Sequence, residues 1–163
     1  MSALALYFTT NGYTVAGYDR CESTITHTLE ESGCLISYED NLNSLRDPFA
    51  DISDKHTVII VYTPAVPAIN KLLSHFRENG YRIYKRAEIL GELSSHTDTL
   101  AVAGTHGKTT ISTMIAHLLK QSHLDCSAFL GGISKNYGSN LLIGKSRYTV
   151  MEADEFDRSF HYL

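Results

Sequence analysis

The sequence lacks the marks of a membrane, a secreted or a nucleic-acid-binding chain. No apolar run approaches the length that crosses a bilayer. Met1 is not followed by a basic stretch and an apolar core, so no signal peptide is visible. There is no basic excess. The 14 Lys and Arg stand against 18 Asp and Glu, a formal net charge of −4. That balance argues against a nucleic-acid role, yet it leaves room for a local cationic pocket. Only three cysteines occur, Cys21, Cys34 and Cys126, and none forms a CxxC pair. Thiols in a reducing cytoplasm fit this better than a metal site or a disulfide framework. Repeats and low-complexity segments are absent as well. What is present is ordinary for a globular protein: 163 residues, 43% hydrophobic and 20% charged. The expectation is one or two small cytoplasmic domains that bind neither nucleic acid nor membrane. Nothing in the composition assigns an oligomeric state.

Helical and strand patterns alternate along the chain. Residues 2–11 predict a helix stopped by Gly12, and "YTVAGYD" a strand. "ESTITHTLEESG" is a second helix, with Ser23 to cap it and Gly33 to end it. "CLIS" is a short strand. "HTVIIVYT" reads as a buried parallel strand because it is β-branched and nearly all apolar. "PAINKLLSHFRENG" is a helix with Pro67 near its start, "YRIYK" a strand and "RAEILGEL" a helix. Residues 96–100 form a plausible joint, after which the alternation restarts. "TLAVAG", "CSAFLGG" and "RYTVMEAD" are strands, and Thr109 to Gln121 is a helix. Its Ile111, Met114, Ile115, Leu118 and Leu119 fit an amphipathic face. Strand–helix alternation is the pattern of an α/β fold with a doubly wound sheet. The chain starts inside a helix and stops soon after a strand, so both ends look cut.

"AVAGTHGKTT", residues 101–110, carries the chemistry. It departs from the common G-x-x-x-x-G-K-[ST] loop, since Val102 stands where the first glycine belongs. The order is nonetheless what phosphate binding needs: a strand, a glycine turn, a lysine, two threonines and a helix. Gly104 and Gly107 let backbone N–H groups of the loop, through Thr105, His106 and Thr110, approach phosphate oxygens. The helix N-terminus adds partial positive charge. Lys108 can reach the β- and γ-phosphates of ATP, and the Thr109 hydroxyl can ligate Mg²⁺. A second cluster, "MEADEFD", follows an apolar strand and so lies at its C-terminal edge, where α/β sheets place ligands. Glu152 is the first choice to share that Mg²⁺ with Thr109, and Asp154 the second.

Together these segments resemble the Mur ligases, ATP-dependent amide-forming enzymes of peptidoglycan synthesis whose loop is spelled G-T-x-G-K-[ST]. "RAEILGEL" and "EADE" strengthen the likeness, which covers essentially the whole chain. The histidine in "GTHGKTT" resembles the branch whose acceptor is L-alanine, and a relative that recycles murein tripeptide. The likeness implies a Rossmann-like UDP-sugar-binding domain over 1–97, without its first strand and glycine loop. It implies the start of a P-loop ATP-binding domain, with a parallel sheet, over 98–163. It further implies that ATP phosphorylates the carboxylate of UDP-N-acetylmuramate and that the amine of L-alanine attacks the resulting acyl phosphate. Lys108 and His106 are then the expected catalytic groups. Asp19, Thr63, Ala65, Ser139 and Asn140 are expected to contact the UDP-sugar. For His106 the alternative is a loop histidine facing solvent. Asp19 serves equally as a strand-end turn residue, and Ser139 and Asn140 would equally suit a simple turn after Gly138. The chain alone is expected to form no amide bond. The alternatives are a tripeptide-recycling ligase and a non-catalytic nucleotide- or UDP-sugar-binding module.

Overall fold

The computed structural model describes residues 1–45, 48–49, 52 and 54–153. They form an α/β protein in two compact units, Met1–Lys85 and Arg86–Leu163.

In the first unit α1 (Ser2–Thr10) ends at a left-handed Gly12 with φ 84°. The chain then enters β1 (Ala16–Tyr18). Helix α2 (Thr24–Glu31) starts in a capping box: the Ser23 hydroxyl accepts from the Thr26 N–H at 3.2 Å, and the Thr26 hydroxyl accepts from the Ser23 N–H at 2.9 Å. Gly33, at φ 93°, turns the chain into β2 (Leu35–Ser37), which pairs parallel with β1. Leu29, Cys34 and Ile36 form the core here, with Ala5, Leu6, Val15 and Tyr38 packed around them. Then come β3 (Ile59–Tyr62), α3 (Lys71–Glu78) and β4 (Arg82–Lys85). Strands β3 and β4 pair parallel as a separate two-stranded sheet.

Two expectations shift in this unit. Helix α3 begins at Lys71 rather than next to Pro67, because the chain first turns from Pro67 to Asn70 (N–H to O, 3.0 Å) and Asn70 caps it. The Asp40 carboxylate also accepts from the Lys71 and Leu72 N–H groups, each at 3.0 Å, which suits an anion at a helix N-terminus. Strand β3 is parallel as expected but not fully buried. Its one strand partner among the described residues is β4, and Ile59 is 48% exposed.

The second unit holds α4 (Arg86–Ser95), β5 (Asp98–Val102), α5 (Lys108–Gln121), β6 (Ser127–Ser134), β7 (Ser139–Leu142) and β8 (Tyr148–Glu152). The strands form one sheet in the order β5-β8-β6-β7. Strands β5, β8 and β6 are parallel, and β7 returns antiparallel to β6. The stretch "GGISKNYGSN", residues 131–140, carries the end of β6, the turn and the start of β7. The Tyr137 and Gly138 N–H groups both bond to the Ser134 carbonyl, and Gly138 takes φ 63°.

Helix α5 packs on this sheet over Ala116, Cys126, Ala128, Leu130, Leu142 and Val150. It does so with a narrower face than its apolar pattern suggests. Ser112 and Ala116, one turn apart, are fully buried, with Ile115 and Leu119 beside Ala116 at the core. Ile111, Met114 and Leu118 are 49%, 60% and 69% exposed. Small side chains on the facing stripe let the helix lie close to the strands. Among the described residues no helix is long and apolar enough to cross a membrane.

Candidate functional site

The glycine loop joins the C-terminal end of β5 to α5, as phosphate binding requires. Gly104 and Gly107 take φ 146° and 78°, conformations that strain any residue with a Cβ. Gly107 is the N-cap of α5, so the helix opens directly out of the loop with its N–H groups pointing forward. Thr105, His106 and Thr110 are exposed, with His106 on the solvent side of the loop. Lys108 is half-buried and curls over its own loop, its Nζ donating to the Gly104 carbonyl at 2.6 Å. The ammonium thus sits over the cradle that phosphates would fill.

Strand β8 lies next to β5, and its last residue, Glu152, stands opposite Val102. Adjacency in the sheet, not in sequence, brings the carboxylate to the loop. Thr109 Oγ1 donates to Glu152 Oε2 at 3.1 Å. Two further donors hold the other oxygen: Ser112 Oγ at 2.9 Å and the Gly131 N–H at 2.6 Å both reach Oε1. Gly131 and Gly132 of β6 pass close by. A Cβ on Gly131 would overlap the Glu152 carboxylate, and one on Gly132 would lie 3.5 Å from Thr109 Cγ2.

The expected pair Thr109 and Glu152 is therefore assembled in one place with Lys108. Asp154 lies outside the described residues. Ser139 and Asn140 fall on the antiparallel strand β7, and Ser139 Oγ accepts locally from the Leu141 N–H at 3.0 Å. Asp19 and the Thr63–Ala65 turn follow β1 and β3, strands of two different sheets of the first unit. Asp19 Oδ1 accepts from the neighbouring Arg20 N–H at 2.7 Å, while the Thr63 carbonyl accepts from the Val66 N–H at 3.0 Å. Ser112 and Gly131 were not anticipated. The only signal for Ser112 was a hydroxyl one turn after Lys108, on the helix face that carries Ala116.

The donor set suits a hard cation. A hydroxyl and a carboxylate oxygen are the ligands Mg²⁺ prefers, and Mg²⁺ keeps water and phosphate oxygens for its other positions. No cluster of three or more His, Cys, Asp or Glu among the described residues builds an all-protein cage. The shifted ionisations lie at the opposite end of the sheet. Asp125 is lowered to about 2, first by its hydrogen bond with Lys120 and then by the Lys145 N–H. Burial raises the Cys126 thiol. Both belong to the fold rather than to the loop. Cys34 is buried too, Cys21 is exposed, and all three thiols are free.

The family described as "Mur ligase family, catalytic domain" matches residues 1–97. The glycine loop follows that stretch, but similar whole proteins span it. The UDP-N-acetylmuramate–L-alanine ligase of Porphyromonas gingivalis is 57% identical over 164 aligned residues, covering 100% of this chain and 35% of the relative. The ligase of the same name from Phocaeicola vulgatus is 56% identical with the same coverage. Among solved structures, the UDP-N-acetylmuramate–alanine ligase of Thermotoga maritima superposes with a TM-score of 0.80 at 28% identity, over 93% of this chain and 34% of that one. A murein peptide ligase from Psychrobacter arcticus gives 0.83 at 25% identity, over 100% of this chain and 38% of that one. The chain thus spans about a third of the length of the curated relatives it matches.

Proposed function

The chain belongs to the Mur ligase family, and we propose that it forms the nucleotide-phosphate site of an ATP-dependent ligase. That ligase joins L-alanine to the carboxylate of UDP-N-acetylmuramate in cytoplasmic peptidoglycan synthesis. The observation that carries the proposal is the Thr109–Glu152 contact at 3.1 Å, which closes the glycine loop onto the neighbouring strand. The match with L-alanine ligases along the entire chain supports the acceptor. Residues 1–97 would serve the UDP-sugar, through Asp19, Thr63 and Ala65. Residues 98–163 would serve ATP, with Ser139 and Asn140 toward the sugar.

The chemical difficulty is charge, because a carboxylate must attack a polyanion. Lys108 neutralises phosphate oxygens after letting go of the Gly104 carbonyl. The N–H groups from Gly104 to Thr110 and the N-terminus of α5 hold the phosphates by geometry that exists beforehand. Thr109 and Glu152 would hold Mg²⁺, which withdraws charge from the transferred phosphoryl group when bound. His106, exposed on the loop, would donate to a phosphate or substrate oxygen. In the ligase as a whole the muramyl carboxylate takes the γ-phosphoryl group and ADP leaves. The amine of L-alanine then attacks the acyl carbon, and phosphate leaves as the amide forms.

Titration of this chain with a fluorescent ATP analogue in Mg²⁺ tests the site. Saturable binding is expected, weakened at least about tenfold by Lys108→Ala, or about 1.4 kcal/mol. Equal affinity in both proteins would sink the assignment. A second reading, tripeptide recycling, rests on the murein peptide ligase structures, which superpose about as well as the L-alanine ligase. Phosphate release by the complete ligase, with UDP-N-acetylmuramate and either L-alanine or murein tripeptide, separates the two. Release only with tripeptide would move this protein to the recycling reaction.

A further inference from the structure

We propose that Ser112 and Gly131 are positioning residues that orient the Glu152 carboxylate, so that Oε2 alone is presented to Thr109 and to a divalent cation. The proposal rests on the nucleotide site described above. Glu152 has two oxygens of equal intrinsic basicity, and nothing in its own chain chooses between them. The choice comes from outside. Ser112 Oγ and the Gly131 N–H converge on Oε1, at 2.9 and 2.6 Å. Two donors, both charge-assisted and the Gly131 N–H the shorter, occupy the lone pairs of that oxygen and stop the carboxylate from turning. Oε2 is left facing the Thr109 hydroxyl.

Each holder is itself fixed. Ser112 is fully buried, and its hydroxyl lies 3.1 Å from the Thr109 carbonyl as well as near Glu152. The absence of a Cβ at Gly131 leaves room for the Glu152 carboxylate in this orientation, because a Cβ there would fall on it. Its backbone is held by β6, which pairs with β8 from Ser127 to Phe129. Ser112 belongs to α5, Gly131 to β6 and Glu152 to β8, so helix and sheet together set one torsion. A hydroxyl at the start of a helix face otherwise made of Ile115, Ala116 and Leu119 has no packing purpose that alanine would not serve better.

Three variants separate positioning from folding. Ser112→Ala removes one donor and keeps the volume small. Ser112→Thr restores the hydroxyl. Gly131→Ala meets only the tip of a flexible side chain, so the fold adapts by displacing the carboxylate. The first readout needs no ligand: the amide proton of Gly131 in an NMR spectrum of this chain, deshielded by its short bond to Glu152. It is expected to move upfield in Ser112→Ala and to stay near its wild-type position in Ser112→Thr, with the melting temperatures of both close to wild type. The second readout is the Mg²⁺ concentration that half-saturates ATP-analogue binding. It should rise about tenfold in Ser112→Ala and more in Gly131→Ala, the usual cost of loosening a group behind a metal ligand. Affinity without divalent ions should be unchanged. An unmoved Gly131 resonance in Ser112→Ala overturns the proposal. So does an equal loss of affinity with and without Mg²⁺. If wild type binds no Mg·ATP, the nucleotide site fails, and the Gly131 resonance still decides whether Ser112 orients Glu152.

Discussion

The two units use the same ingredients, parallel strands joined through helices, with different results. In the second unit β8 lies between β5 and β6, and Val150 and Met151 on it are fully buried. Glu152 is the next residue on that strand. Its backbone inherits the rigidity of a central position, and its side chain is then pinned by three donors. In the first unit the strands occur as two separate pairs, β1 with β2 and β3 with β4. The candidate residues Asp19, Thr63 and Ala65 follow those strands: the Asp19 N–H reaches the Ser37 carbonyl across the pair, but its carboxylate accepts from the adjacent Arg20 N–H, and the Thr63 carbonyl accepts from the Val66 N–H. A carboxylate is held in a defined orientation where several elements converge on it, and a strand with neighbours on both sides is what makes them converge.

The contrast can be broken most severely at Gly144. Its backbone runs against Cys126, and a Cβ there would overlap the Cys126 peptide itself, not a movable side chain. Gly144→Ala should cost about 3 kcal/mol, seen as a lower urea midpoint and faster amide exchange in residues 98–152 than in residues 1–85. A wild-type midpoint would show that this corner of the sheet is not tightly packed. A paired truncation sharpens the comparison. Val150→Ala, at 0% exposure, should cost about 2 kcal/mol, and Ile59→Ala, at 48%, less than about 1 kcal/mol. Equal losses would erase the distinction between the central strand β8 and the strand β3.

The smallest expected effect concerns pH. Asp125 is held down to about 2 by Lys120, at 2.6 Å, and by the N–H groups of Lys145 and Cys126. Because the folded value lies below the ordinary carboxylate value of about 3.9, the stabilisation is complete above that value. It is lost as pH falls through the window down to about 2. Asp125→Asn should flatten the acid limb of the stability profile over that window by lowering stability near neutrality by the same amount, while leaving stability at the acid end of the window unchanged. An identical acid limb in wild type and variant would remove Asp125 from the account.

Much of this was legible because it is local. Ser23 and Gly33 bound α2 through bonds within a few residues, and Gly12 ends α1 by its own backbone freedom. The glycine loop is recognisable because strand, turn, lysine and helix are contiguous. The hairpin of β6 and β7 was not legible. Its sequence is rich in glycine, serine, lysine and asparagine, poor strand formers, and it becomes a strand pair only because β6 is already held by β8. The apolar pattern of α5 was misleading for a related reason. Periodicity shows that a helix has an apolar side, but not that the sheet would take the Ser112–Ala116 stripe and leave Leu118 exposed.

By itself, then, the sequence determined the kind of elements, the glycine loop between strand and helix, and the family, since these depend on neighbours along the chain. The tertiary structure alone decided which carboxylate oxygen faces Thr109. Ser112 and Gly131 lie 40 and 21 residues from Glu152, and only the strand order β5-β8-β6 with α5 packed beside it brings all three within hydrogen-bond reach.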